Sequence, residues 1–132
     1  MKPIAPGTRH SFVVQTRNRD TAESFGNPGV PVVGTPALIG FLETAADRCL
    51  KPYYEANEGS LGTSIDVAHL APAPANSTIE ASAEVVGVDG RKLRFAIEAR
   101  HGESLLMKGF HERVVVDMER FLAKLAAQVA KR

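Results

Sequence analysis

The period of the hydrophobic pattern changes once in this chain, near residue 60, and that change dictates a mixed helix-and-sheet fold. Before it, Leu38, Phe41, Leu42, Ala45, Ala46, Cys49 and Leu50 recur at helical spacing, with Ala37 and Ile39 widening the stripe. The set predicts a helix from near Thr35 to about Tyr54 with one broad face to be covered. Thr35 suits the N-cap of that helix, and Pro36 suits its first helical position. After the change, alternation predicts strands over 61–69, 77–88, 91–100 and 104–116. Ile79, Ala81, Ala83 and Val85 face one way, against Glu80, Ser82 and Glu84. Leu93, Phe95 and Ile97 oppose Lys92, Arg94 and Glu98 in the same manner. Asp89-Gly90 and His101-Gly102 read as hairpin turns.

Residues 8–16 add a first strand with Phe12 and Val14 on one side, and 17–33, with two prolines and two glycines, form a long loop. Loops of that length are often lids or binding segments. Met118, Phe121, Leu122, Leu125 and Val129 resume helical spacing over 117–131. The expected architecture is α+β: an antiparallel sheet wrapped around a long central helix, with a C-terminal helix, in one domain spanning 1–132. Its unpaired outer edge favours pairing with a second copy.

Sixteen basic and fifteen acidic side chains give a net charge of +1, and aromatic residues make up 6 % of the chain. There is no bulk field for nucleic acid or an anionic membrane, and no stacking platform for bases. Cys49 is the sole cysteine, which excludes an internal disulfide and fits a cytoplasmic protein. The N-terminal MKPIAPGTRH lacks the apolar run of a signal peptide, and the stretch 30–42 is too short to span a bilayer.

The polar residues that break the pattern are the candidates for chemistry. His69 falls on the apolar face of its strand, in the series Leu61, Thr63, Ile65, Val67, His69. An imidazole aimed at a core needs a hydrogen-bonding partner. Glu43 sits about 20° from Leu50 and about 40° from Ile39 on the helical wheel, at the border of the stripe, where a carboxylate is partly desolvated. Brought together, a carboxylate and an imidazole in a dry pocket are general-base machinery; apart, they are a rim glutamate and a satisfied core histidine. Thr35 is a helix cap or a member of the same site. It lies about 12 Å along the axis from Glu43, so it joins Glu43 only from a turned-back loop or from a partner subunit. His111 and Arg113 alternate on one face of the last strand. They form a solvated face or meet a phosphate, which makes Arg113 a candidate for substrate binding. His10 and His101 are expected to be solvated. No metal-ligand spacing, phosphate loop or G-x-S-x-G elbow is present.

VGTPALIGFLETAADRCLKPY, then EGSLGTSIDVAHLAPAP, then GFHERVVV, together resemble a hotdog-fold acyl-CoA thioesterase of the fluoroacetyl-CoA thioesterase type, over roughly residues 8–125. That family's catalytic set is a threonine at the helix start, a glutamate eight residues on, and a histidine twenty-six further. These positions hold Thr35, Glu43 and His69. The resemblance marks Gly62 as lining the acyl pocket and implies dimers joined edge to edge with sites at the interface. It also implies no cofactor beyond coenzyme A as part of the substrate. Where that family carries an aromatic lid this chain offers only Phe25, beside Gly26, Asn27 and Pro28, and Pro36 directly follows the threonine. Selectivity for a fluorinated acyl group is therefore not implied. The expected activity is hydrolysis of a short or modest acyl-CoA thioester. The competing readings are a hotdog-fold enoyl-CoA hydratase using Asp66 with His69, a non-catalytic acyl-CoA binding module and a purely structural dimer.

Overall fold

A computed structural model describes residues 1–131. Five strands form one antiparallel sheet: β1 (Arg9–Gln15), β2 (Glu58–His69), β3 (Thr78–Asp89), β4 (Lys92–His101) and β5 (Ser104–Asp117). Their spatial order is β1-β3-β4-β5-β2, which leaves β1 and β2 as the two edges. The helix α1 (Thr35–Leu50) lies against one face and α2 (Met118–Ala130) follows β5. Both hairpin turns are two residues long, with Asp89 paired to Lys92 and His101 to Ser104. Gly90 and Gly102 hold the first central position at φ of +60° and +57°. A side chain is strained in that left-handed region, and the turn matches the twist of the flanking strands.

The core forms where the two periodicities meet. Leu38, Leu42, Ala45, Ala46, Cys49 and Leu50 of α1 are buried against Ile79, Ala81, Ala83, Val85, Leu93, Phe95, Ile97, Ala99, Met107 and Val115. Each buried leucine or isoleucine contributes about 1.5–3 kcal/mol relative to exposure. Among the described residues no helix is long and apolar enough to cross a membrane.

Local features depart from the sequence expectations in ways that matter for the site. The helix ends at Leu50, and Lys51–Tyr53 continue as a single 3-10 turn containing Pro52. The N-cap is Gly34, so Thr35 is already helical and its hydroxyl is not spent on capping. The loop 17–33 is largely ordered by two 3-10 turns, Asn18–Asp20 and Ala22–Phe25, and by bridges from Thr21 to Val33 and from Val32 to Pro74. In β2 the ladder slips between Gly62 and Ser64, which leaves Thr63 as a bulge. An extra residue reverses the alternation. Gly62 and the set Ile65, Val67 and His69 therefore share the helix side, whereas Leu61 and Thr63 do not belong with that set. No residue of α2 is buried. His10 is half-buried rather than solvated: its Nε2 is buried with no hydrogen-bond partner, and its ring stacks at 6.4 Å on Phe12. His101 is likewise half-buried and lies 3.0 Å from the Thr78 carbonyl.

Candidate active site

The site is built on the sheet face under α1, along β2 and β5. At the α1 N-terminus, Thr35 Oγ1 lies 2.6 Å from His69 Nδ1. Thr35 gains that freedom because Gly34, in extended conformation, takes the cap position. His69 reaches it because its side chain lies on the helix side of β2, opposite Met107. His69 is exposed rather than lodged in the core, so the partner of its imidazole is this hydroxyl.

Two helical turns along, Glu43 Oε2 lies 3.7 Å from Arg113 Nη1. The backbone of Gly62 passes so close that a Cβ there would stand 3.1 Å from both Glu43 Oε2 and His111 Cε1. Glu43, Gly62, Thr63, Ser64, Ile65 and His111 line a concavity of about 240 Å³. A larger cleft of about 420 Å³ lies between the end of β5 and α2, but it contains none of Thr35, Glu43 and His69. The chemistry favours the smaller one, where a carboxylate meets a pinned cation.

His111 and Arg113 are not a solvated face: they are 1 % and 7 % exposed. Both follow the inward phase of β5 shared by Met107 and Val115, and that period-two relation was available in the sequence. His111 Nδ1 donates to the Ser64 carbonyl at 2.8 Å. Its Nε2 accepts from Arg113 Nη1 at 3.1 Å, which requires a neutral ring. Burial, reinforced by the Arg113 charge, pushes the imidazole below its usual range and keeps it neutral; the Ser64 bond and Glu43 oppose this. Arg113 Nε donates to Ser60 Oγ at 2.7 Å and Nη2 to the Ser60 carbonyl at 3.0 Å. Ser60 Oγ lies 2.6 Å from the Tyr54 hydroxyl, which donates to Asp47 Oδ1 at 2.8 Å. Burial pushes the Tyr54 phenol above its usual range, so it remains a donor. Nothing in the spacing of Asp47, Tyr54 and Ser60 singled them out.

The structure thus joins Thr35 to His69, and Glu43 to Gly62, but divides the three candidate residues into two groups. Thr35 does not lie on a turned-back loop. Phe25 is 49 % exposed, with its ring against the α1 N-cap: a Cβ on Gly34 would stand 2.8 Å from Phe25 Cδ2. Asp66 and His69 pair with Phe110 and Met107 and point to opposite faces, which disfavours a hydratase pair.

Residues 16–119 match the model of the fluoroacetyl-CoA-specific thioesterase family. The chain belongs to that family. A fluoroacetyl-CoA thioesterase of Streptantibioticus cattleyicolor is 40 % identical over 94 residues, which cover 71 % of this chain and 68 % of the relative. A solved structure of the fluoroacetyl-CoA thioesterase superimposes with a TM-score of 0.87 at 32 % identity, covering 96 % of this chain and 98 % of that one. A thioesterase superfamily member of Thermus thermophilus reaches a TM-score of 0.91 at 23 % identity, covering 99 % and 97 %, and shows the shared fold. Family membership makes the protein a thioesterase, and its sheet wrapped on a central helix is the hotdog fold.

Proposed function

We propose that this protein hydrolyses the thioester of a short or modest acyl-CoA, at a site made when two chains pair and bring Thr35 and His69 of one to Glu43 and Gly62 of the other. The observation that carries this reading is the 2.6 Å contact between Thr35 and His69 at the start of the helix that also bears Glu43. Thr35 and Glu43 are about 12 Å apart along that helix, so one chain does not close the set. The outer side of β2 is unpaired. Two β2 strands joined antiparallel about a twofold axis near Asp66 carry the partner's His69 alongside Gly62.

In this reading the Glu43 carboxylate attacks the thioester carbonyl or takes a proton from the attacking water. Direct attack breaks the C–S bond to leave an anhydride on Glu43 that water then hydrolyses, whereas activated water adds to the carbonyl and breaks the C–S bond itself. On either route the departing thiolate is protonated by way of His69 and the acyl group leaves as a carboxylate. Thr35 orients the carboxylate or bonds the carbonyl oxygen. The developing oxyanion is met by the Gly62 amide or by the first turn of α1. In that turn Pro36 has no N–H and the Leu38 N–H goes to the Gly34 carbonyl, so Thr35 and Ala37 hold the donors. Phe25 and its loop screen the helix end from water. Selectivity for a fluorinated acyl group is not part of the reading.

The test is release of free thiol from a panel of acyl-CoA thioesters by purified protein. Glu43→Gln and His69→Ala are each expected to lower kcat/KM by about 100-fold or more. Hydrolysis by both variants within a few-fold of the wild type would sink the assignment. Tight acyl-CoA binding without turnover by the wild type would favour the binding-module reading.

A further inference from the structure

We infer that Ile65 limits the length of the acyl chain, as the apolar wall beside the reacting carbonyl. The inference rests on the proposed hydrolysis at Glu43 and narrows the substrate class for that site to short acyl groups that end against Ile65.

Ile65 arrives at the site through the slip in β2. Strict alternation would put Gly62 and Ile65, an odd number of residues apart, on opposite faces of the sheet. The bulge at Thr63 adds one residue, so both lie on the helix side. Across the ladder Gly62 faces Arg113 and Ile65 faces His111. The two positions are therefore two ladder steps apart, about 7 Å at ~3.3 Å per residue. Gly62 has no side chain to occupy the space next to Glu43. An acyl group held over that glycine has the Ile65 side chain as its next neighbour along the strand.

The lining of the concavity leaves Ile65 to receive the apolar part of a substrate. Around its volume of about 240 Å³, Glu43, Thr63, Ser64 and His111 are polar and Gly62 is bare. Ile65 is the one apolar side chain among these residues, and it is partly buried and packed against the core. His111 turns no free hydrogen-bonding atom to the space. Its Nδ1 is committed to the Ser64 carbonyl and its Nε2 to Arg113, and Cε1 is the atom that a Gly62 Cβ would meet at 3.1 Å. An alkyl chain gains from leaving water where apolar surface receives it. A β-branched side chain is stiff at χ1, so Ile65 is a fixed wall that does not swing aside for a longer chain. One methylene too many in such a pocket is worth about 10–200-fold in discrimination.

The experiment measures kcat/KM of the full chain for acetyl-, butyryl-, hexanoyl- and octanoyl-CoA by release of free thiol. The readout is the ratio of the hexanoyl to the butyryl value, which a change in the fraction of folded enzyme does not move. Ile65→Ala is expected to raise that ratio by about tenfold or more, Ile65→Phe to lower it by about tenfold, and Ile65→Val to fall between wild type and Ile65→Ala. Leu61→Ala, a truncation on the other face of the same strand, is expected to keep the ratio within about twofold of wild type. If Ile65→Ala and Ile65→Phe both keep the wild-type ratio within about twofold while rates or melting temperatures fall, Ile65 is structural and the inference is overturned. An equal shift in Leu61→Ala, or a wild type that prefers octanoyl- to acetyl-CoA, would also overturn it while the proposed function stands. If the wild type releases thiol from none of these thioesters, the proposed function fails and the inference with it.

Discussion

Thr35, Glu43 and His69 differ in what holds them. Thr35 and His69 hold each other, while Glu43 is held by a neighbour's charge and by the absence of a side chain at Gly62. Gly62→Ala tests that close approach. Its methyl would press on the Glu43 carboxylate, so kcat is expected to fall by about tenfold or more while the unfolding free energy changes by less than about 1 kcal/mol. Unchanged turnover would show that the carboxylate yields freely. His111 sets a pH limit on the same region. Burial lowers its proton affinity in the folded protein relative to the ordinary value of 6.5, so the unfolded chain takes the proton more readily. The stability of the neutral ring is therefore present above about pH 6.5 and lost as pH falls below it. Denaturant unfolding at about pH 5 and about pH 7.5 should show a larger loss for wild type than for His111→Gln, and equal losses would contradict a buried neutral ring. Single residues were only partly legible in the sequence. Glu43 at the rim of the stripe was visible from helical spacing. The exposure of His69 was not: it keeps the helix-side phase of Ile65 and Val67 but stands at the end of an edge strand.

At the scale of elements, α1 and the two hairpins follow from local pattern. The apolar stripe of α1 needs no knowledge of the sheet, and neither do Gly90 and Gly102 in their turns. Leu42 lies at the centre of that stripe and is fully buried. Leu42→Ala is expected to lower the unfolding free energy by about 2–5 kcal/mol in chemical denaturation, and a change below about 1 kcal/mol would mean that the helix does not anchor the core. What the sequence could not show is register. The slip in β2 depends on how β5 pairs with it, and the inward facing of His111 and Arg113 was outweighed by their polarity. The cap falls on Gly34 rather than Thr35: both residue types are acceptable caps, and the Thr35 hydroxyl meets His69 instead.

At the scale of the whole molecule, the sheet has two edges, and β2 is the one that carries the candidate residues. In the proposed reading a second copy completes the set, because one chain separates Thr35 and His69 from Glu43 along one helix. Size-exclusion chromatography with light scattering is expected to give a dimer. Proline at Val67, whose backbone N–H faces the open side of β2 because that of Leu70 faces β5, is expected to weaken the dimer and to remove activity with it. The most direct measurement mixes two inactive variants, His69→Ala and Glu43→Gln, under conditions of verified subunit exchange. In a mixed dimer one site carries both defects and the other carries neither, so about a quarter of wild-type thioester hydrolysis should return. Mixed dimers that form and remain inactive would contradict a site shared between two chains.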